Sequence, residues 1–231
     1  MFIMYMNIIY KTGVISLFIQ VLTWFVDIYA LSLKTRPEFL FVRYLLWIEL
    51  WVQLIEGSFY IWLVTNFAKI SNITPFRYYD WVITTPTMLF TYCMYLYYLN
   101  TKDNNTKDNK SFFTAIEENT PILVPIFILN TLMLMFGYLS EMGKISIGMG
   151  TVLGFIPFFM FFWLIYENYA KHTDIGKLTF VYFSGIWGLY GIASLMSYKV
   201  KNIFYNILDL FSKNFFGIFL AVVLLFNNQS E

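Results

Sequence analysis

The stretch LDLFSKNFFGIFLAVVLLF, residues 208–226, decides the fold. It is apolar along almost its whole length, and about 20 apolar residues are what an α-helix needs to cross a membrane. Lys213 lies in the middle of the span that contains this stretch, too deep for its side chain to reach water at either end. A charged amine at that depth is costly unless it is paired or hydrated. The stretch therefore predicts a membrane helix that carries a functional lysine.

Six further apolar runs precede this one, and together they predict seven membrane spans. The predicted spans cover residues 13–33, 38–64, 75–99, 121–139, 145–169, 175–197 and 202–226. Runs such as residues 122–134 are apolar on every face, which excludes the alternating pattern of a membrane β-barrel. Since only helices then satisfy the backbone in lipid, we expect an all-α bundle of seven helices that forms one domain over residues 1–231. The first run lacks the charged start of a signal peptide, so we expect it to be a mature span.

The composition supports a membrane protein and excludes several other classes. The chain is 59% hydrophobic and only 13% charged, whereas soluble domains carry about 25% charged residues. Its 15 basic residues are balanced by 14 acidic ones, so it lacks the basic excess of a nucleic-acid-binding protein. The single cysteine, Cys93, excludes an intramolecular disulfide and a metal site built on several thiolates. No Ser, His and Asp set or metal-ligand spacing lies within the spans, so an enzyme such as a membrane hydrolase is not expected.

The loop charges predict an orientation. With the N-terminus outside and the C-terminus cytoplasmic, the inner connections hold seven Lys and Arg residues and the outer ones five, which agrees with the positive-inside rule. The longest polar segment, residues 100–119, contains TKDNNTKDNK and is predicted to be a mobile loop. We therefore expect an integral, multi-pass membrane protein.

Seven charged residues fall deep within the apolar runs, and five of them are carboxylates. They are Asp27, Glu49, Glu56, Arg77, Asp80, Asp209 and Lys213. Asp209 precedes Lys213 by one helical turn, so the two share a face. Asp80 belongs to a polar stripe at helical spacing, formed with Arg77, Thr84, Thr87 and Thr91. A lysine paired only for packing is one interpretation; the other is an amine that condenses with a carbonyl cofactor, with Asp80 and Asp209 as counter-charges.

Two motifs carry a resemblance to a known family. RYYDWVITTP, residues 77–86, resembles the third-helix signature of microbial (type 1) rhodopsins, and LDLFSK, residues 208–213, resembles their seventh-helix retinal site. The resemblance implies all-trans retinal bound as a Schiff base to Lys213, with Asp80 as primary counterion and proton acceptor. It also implies that Asp209 is the second counterion, that Arg77 orients the outer half-channel and that Thr84 belongs to this counterion group. The other residues expected at the retinal are Trp81, Thr85, Gly137, Phe183 and Trp187.

The sixth helix departs from the family pattern. Phe183 and Ser184 stand where the resemblance leads us to expect Tyr and Pro. At these positions, the sequence therefore offers neither the tyrosine that would donate a hydrogen bond to Asp209 nor the proline that would kink the helix.

The mode of transport depends on the inner half of the bundle. An outward proton pump of this family has a carboxylate two to three turns inward of Asp80, but here that position is Thr91, which cannot donate a proton at neutral pH. Glu49 and Glu56 instead lie seven residues apart, on one face of the second helix. Such a stripe is typical of a cation path. The alternative is that one of the two is a protonated, hydrogen-bonded core residue, Glu49 more readily than Glu56.

Asp27 and Asn214 could extend the same lining. This pattern resembles the giant-virus rhodopsins of the cation-channel subgroup. We therefore expect a light-gated channel for monovalent cations or protons, with an outward proton pump or a sensory rhodopsin as alternatives. The partners expected are retinal and the lipid bilayer, and the sequence leaves open whether the chain forms a homo-oligomer.

Overall fold

The computed structural model describes residues 2–103 and 111–228, and within these ranges the chain is helical, without β-strands. The α-helices are α1 (Phe2–Ser32), α2 (Leu40–Asn66), α3 (Thr74–Asp103), α4 (Phe112–Glu141), α5 (Ile147–Asn168), α6 (Asp174–Ser194), α7 (Tyr198–Asp209) and α8 (Phe215–Asn228). A π-helical segment, Leu210–Asn214, joins α7 to α8. Short 3-10 helices cover Pro37–Phe39, Phe67–Lys69 and Ala170–His172.

The helices form a closed ring of seven spans. Each helix from α1 to α6 packs against the next along the chain, and α6 packs against α7. α7, the π segment and α8 make one continuous seventh span, which closes the ring by packing against α1 and α2. The prediction of an all-α, seven-span bundle is therefore confirmed.

Two predicted boundaries were wrong. α1 begins at Phe2 rather than at residue 13, and α4 begins at Phe112 rather than at residue 121. The early start of α4 has a local cause, because the Ser111 side chain accepts a hydrogen bond from the backbone N–H of Thr114 and so caps the helix. Residues 100–103 and 112–119 of the predicted loop are thus helical. Residues 104–110 lie outside the described residues.

The bundle carries apolar side chains outside and charged side chains inside. Phe18, Trp51 and Trp163 are more than 60% exposed, whereas Glu49 and Arg77 are 0% exposed. By length and composition, four stretches are apolar enough to cross a membrane, namely Ile8–Ser32, Phe112–Glu141, Ile147–Asn168 and Tyr198–Phe226. α2 and α3, which are not among these stretches, bury Glu49, Glu56, Arg77 and Asp80. This inverted arrangement is that of a protein surrounded by lipid.

The π segment contains Lys213, the lysine in the middle of the seventh span. Its wider turn shows in the hydrogen bond from the backbone N–H of Phe215 to the carbonyl of Leu210, five residues earlier. Such single π turns are frequent at functional sites because they redirect a side chain. Here the segment contains Lys213 and Asn214, both of which are buried in the centre of the bundle.

Candidate functional site

A largely apolar cavity lies between α3, α4, α5, α6 and the seventh span, and Lys213 lies at its wall. Its lining includes Tyr78, Trp81, Thr85, Met88, Met133, Leu134, Gly137, Gly154, Phe155, Phe158, Trp187, Tyr190, Ser212 and Lys213. Most of these side chains are aromatic or aliphatic, as in sites that bind apolar small molecules. Four of the residues predicted at the cofactor, Trp81, Thr85, Gly137 and Trp187, are among them.

The Lys213 ammonium is surrounded by three carboxylates. Its Nζ lies 2.5 Å from Oδ2 of Asp80, 3.5 Å from Oε1 of Glu56 and 3.7 Å from Oδ1 of Asp209. All four residues are at most 4% exposed, so these charges interact in a medium of low polarity. The structure brings together Lys213, Asp80 and Asp209, as the motifs predicted. It adds Glu56, which the sequence had assigned only to the ion path.

Asp209 is held by hydrogen bonds from two tyrosines and by an arginine. The Tyr60 hydroxyl donates to Oδ2 at 2.6 Å, and the Tyr190 hydroxyl donates to Oδ1 at 2.7 Å. Arg77 Nη1 lies 3.4 Å from Oδ2. Asp209 thus has a tyrosine donor on the sixth helix although Phe183 cannot be one, because Tyr190, three residues after Trp187, supplies the bond.

Phe183 lies away from the cavity. Its ring stacks on Tyr92 with the centroids 4.3 Å apart, and it meets Phe216 edge to face. It is not among the residues that line the cavity, so its assignment as a cofactor-binding residue is corrected. The reason is its position one turn before Trp187, which places it in the aromatic core beyond the cavity.

Arg77 is fixed by two asparagines of α7 that the sequence analysis missed. Its Nε donates to Oδ1 of Asn202 at 3.2 Å, and its Nη2 donates to Oδ1 of Asn206. Asn202 and Asn206 are one turn apart and are both 0% exposed. Polar residues at that spacing in a membrane span were the signal that could have revealed them.

The predicted threonines and glycine have defined roles in the packing. The Thr84 hydroxyl donates to the backbone carbonyl of Asp80 at 3.0 Å, and the Thr85 hydroxyl accepts a bond of 2.8 Å from Asn130 Nδ2. At Gly137, a Cβ atom would lie 2.5 Å from the hydroxyl oxygen of Tyr78. Only glycine therefore leaves Tyr78 where it lies at the cavity wall.

A second polar group lies on the other side of Lys213, between α1, α2, α3 and the seventh span. Gln53 Nε2 donates to Oδ2 of Asp27 at 2.5 Å, and the hydroxyl of Thr91 makes a hydrogen bond with Oε1 of Glu49. Asn214 is also buried here, at 1% exposure. The structure thus keeps Asp27 and Glu49 apart from the Lys213 cluster, while Glu56 belongs to it.

Many polar atoms in this second group, and on the neighbouring Glu56, have no hydrogen-bond partner among the described residues. They are Oε1 of Gln20, Oδ1 of Asp27, Oε2 of Glu49, Oε1 of Gln53, both carboxyl oxygens of Glu56 and both amide atoms of Asn214. A buried polar atom without a partner is costly unless water or an ion reaches it. Buried water is the usual partner of such atoms in proteins.

Lys201 lies in an ion pair at the opposite end of the bundle. The sequence placed it among the charges of an outer connection, but it is 4% exposed and its Nζ lies 2.6 Å from Oε1 of Glu141. The pair joins the start of α7 to the end of α4. It therefore adds a polar contact beyond the Arg77 network on that side.

The cavity and its lysine fit an elongated apolar aldehyde such as retinal. The amine of Lys213 provides the point of covalent attachment, and the carboxylates beside it would balance a positive charge on its nitrogen. Trp81 and Trp187 give the cavity two large aromatic surfaces, and the indole N–H of Trp187 has no protein partner among the described residues.

Comparison with known proteins gives a consistent assignment. Residues 4–226 match the family model described as bacteriorhodopsin-like protein. The crystal structure of the viral rhodopsin OLPVRII superposes with a TM-score of 0.78 at 29% identity, covering 93% of this chain and 96% of that chain. No curated protein matches the sequence.

More distant structures share the fold. Acetabularia rhodopsin I has a TM-score of 0.75 at 16% identity and covers 96% of each chain. The bromide-bound halorhodopsin from Halobacterium salinarum has a TM-score of 0.71 at 14% identity, covering 98% of this chain and 97% of that one. The match over nearly the whole chain, together with the lysine at the cavity, shows that this protein is a membrane protein of the bacteriorhodopsin-like family, the retinal-binding microbial rhodopsins.

Proposed function

We propose that this protein is a photoreceptor that binds all-trans retinal at Lys213 and acts as a light-gated cation channel. The observation that carries the proposal is a group of buried oxygen atoms on Asp27, Glu49, Glu56 and Asn214 that have no hydrogen-bond partner among the described residues. One of them, Oε1 of Glu56, also lies 3.5 Å from the Lys213 nitrogen. Carboxylate and amide oxygens can replace part of the hydration shell of a cation inside a membrane. A bundle built only for packing would not retain so many of them.

The light-driven step begins at Lys213. Retinal bound at Lys213 would absorb visible light and isomerise within the cavity. The Lys213 nitrogen lies 2.5 Å from Oδ2 of Asp80, so that its proton is within direct hydrogen-bond reach of this oxygen. Asp80 can therefore take up this proton without a bridging water. Because Asp209 is already held by Tyr60, Tyr190 and Arg77, Asp80 is the freer acceptor.

The proposed cation path runs along α2. Glu56 and Glu49 are two turns apart on one face, with Asp27 of α1 and Asn214 of the seventh span beside that face. Loss of the proton from the Lys213 nitrogen removes a positive charge 3.5 Å from Glu56, and so lowers the electrostatic barrier to an entering cation. We place the N-terminus outside, so that the Glu49 end of the path opens to the cytoplasm.

An outward proton pump is the second candidate. The direct contact between Lys213 and Asp80 favours it equally, because proton transfer toward the Arg77 side is the first step of either mode. In a pump, the buried carboxylates would carry protons only, and no passive path for cations would open.

Photocurrents in voltage-clamped cells separate the two modes. A channel predicts a current that changes sign with voltage, whereas a pump predicts an outward current at every voltage. Glu56→Gln should reduce the passive current at least several-fold, because it removes the carboxylate where the path meets Lys213. Glu167→Gln, which alters an exposed pair with Lys171, is the matched control and should leave the current unchanged. A pigment that forms but gives no current in any variant would overturn both transport modes in favour of a sensory role.

A further inference from the structure

Two tyrosines of α6 contact the π segment and its flank in the seventh span. Tyr190, inside the bundle, makes hydrogen bonds with Oδ1 of Asp209 at 2.7 Å and with the Ser212 hydroxyl at 2.8 Å. Tyr182 lies on the outer surface of the bundle, where it is 37% exposed, and its hydroxyl donates to the backbone carbonyl of Phe211 at 2.7 Å. The inner contact belongs to the counterion group, whereas the outer one lies outside it.

The π turn explains why the Phe211 carbonyl needs a donor. In an α-helix, a carbonyl accepts the backbone N–H four residues later, which here is that of Phe215. In this structure that N–H bonds the carbonyl of Leu210 instead. The Phe211 carbonyl therefore loses the donor that it would have in a regular helix, and Tyr182 of the neighbouring helix supplies one in its place.

Lipid provides no other partner for either group. α6 has 21 residues, so its length of about 32 Å matches a hydrocarbon core of about 30 Å. Tyr182 lies about 12 Å along the helix axis from Asp174, the first residue of α6. A hydroxyl or a carbonyl inside the hydrocarbon must find its partner within the protein. We therefore expect the bond between Tyr182 and Phe211 to persist in the membrane.

The bonded carbonyl lies two residues before Lys213 in the chain. The peptide that carries it joins Phe211 to Ser212, and Ser212 directly precedes the lysine. The Lys213 nitrogen in turn lies 2.5 Å from Oδ2 of Asp80. Because the lysine side chain starts from this backbone, a displacement of the peptide moves the nitrogen relative to the carboxylate. A contact on the lipid side thus acts on the charge pair in the centre of the bundle.

We propose that Tyr182 is a positioning residue, whose hydroxyl holds the π segment from the lipid side and so keeps the Lys213 nitrogen in hydrogen-bond contact with Asp80. Tyr182 is not among the residues that line the cavity, so its effect reaches the cofactor only through the backbone. The proposal rests on the attachment of retinal to Lys213 in the proposed function, but not on cation conduction.

Hydrogen exchange of the backbone amides, measured by mass spectrometry on the retinal-containing protein in the dark, tests the hold on the π segment. Tyr182→Phe removes the hydroxyl and keeps the ring, so peptides that cover residues 210–216 should exchange about two- to tenfold faster, the range for one lost hydrogen bond. Ser184→Ala is the matched control, because it removes an α6 hydroxyl that bonds carbonyls of its own helix. Equal exchange in Tyr182→Phe and Ser184→Ala would overturn the proposal.

Resonance Raman spectroscopy tests the effect on the lysine. The C=N stretch of retinal bound at Lys213 shifts when H₂O is replaced by D₂O, and a stronger hydrogen bond from the nitrogen gives a larger shift. Tyr182→Phe should give a smaller shift than the wild type, and Ser184→Ala should give the same shift. Faster exchange of the segment with an unchanged C=N shift would show that Tyr182 supports the helix alone and would refute its action on Lys213.

A stronger donor at the same position should act in the opposite direction. A tyrosine with a fluorinated ring keeps the shape of Tyr182 and is a more acidic, stronger hydrogen-bond donor. Its site-specific incorporation at residue 182 should slow the exchange of residues 210–216 and enlarge the C=N shift. A change in the same direction as in Tyr182→Phe would contradict the proposal. This replacement carries the test if Tyr182→Phe does not fold.

The positioning role and the channel fail in different experiments. A pigment whose amide exchange and C=N shift do not respond to Tyr182→Phe refutes the positioning role, whatever the photocurrents show. A response to Tyr182→Phe in a protein without passive current refutes the channel and leaves the role of Tyr182 in place.

Discussion

Both halves of the bundle bury charged residues, but the contacts of these residues differ between the two halves. On the Arg77 side, Asp209 has two tyrosine donors and an arginine, and Arg77 itself binds Asn202 and Asn206. On the Glu49 side, several carboxylate and amide oxygens have no partner among the described residues. The first half is a fixed electrostatic frame, whereas the second keeps buried polar atoms without hydrogen-bond partners among the described residues. We infer that the frame holds the chromophore and that the open half carries the transport.

The largest expected effect comes from the residue between the two halves. Lys213→Ala removes the only amine at the cavity wall formed by the described residues. We expect complete loss of the visible absorption band after addition of all-trans retinal. Lys177→Ala, at an exposed pair with Asp174, should keep the band. A normal band in Lys213→Ala would show that retinal is attached elsewhere.

Breaking the frame should cost more stability than any change at the surface. Arg77→Gln leaves Asp209 buried without its cation, and breaking a buried pair costs about 3–5 kcal/mol. Lys171→Gln, which breaks an exposed pair of 2.6 Å with Glu167, should cost about 0–1 kcal/mol. Thermal unfolding in detergent measures both. Equal losses in the two variants would mean that the Arg77 network is not a rigid frame.

A single tyrosine of the frame should have an intermediate effect. Tyr190→Phe removes the 2.7 Å hydrogen bond to Asp209 and leaves that of Tyr60. Because a hydrogen bond to a charged group contributes about 1.5–3 kcal/mol, we expect a loss in that range together with a shifted absorption band. Tyr29→Phe, at a ring that is 60% exposed, is the control and should change neither.

The smallest effect is expected in the open half. A Cβ atom at Gly217 would collide with the Gln53 amide and lie 2.7 Å from Oδ2 of Asp27. These side-chain ends can move, so Gly217→Ala should lower the stability by only about 1 kcal/mol, at the low end for overpacking. It should also alter the photocurrent, because it displaces the hydrogen bond between Asp27 and Gln53. Gly185→Ala, with open space around its Cβ, should be neutral or stabilising by up to about 1 kcal/mol. If the two variants behaved alike in both assays, the Asp27 to Gln53 contact would have no role in the path.

The sequence predicted the parts of the molecule that follow from local pattern. Apolar runs predicted the seven spans. The positions of Asp80, Asp209 and Lys213 predicted that the two carboxylates lie close to the lysine. The start of α4 was missed because the cap at Ser111 extends the helix beyond its apolar part. The role of Tyr190 was missed because the motif was placed about two turns too early, at Phe183. The contact of Glu56 with Lys213 depends on the packing of α2 against the seventh span, which no local pattern contains.

The reversal potential of the photocurrent tests the central claim most directly. At constant pH, the external monovalent cation concentration is lowered tenfold in voltage-clamped cells that contain the retinal-bound protein. For a cation-selective path, we predict a shift to more negative voltage that approaches about 59 mV, the value of a tenfold gradient of a singly charged ion. A current that stays outward at every voltage and does not respond to the change would contradict the channel.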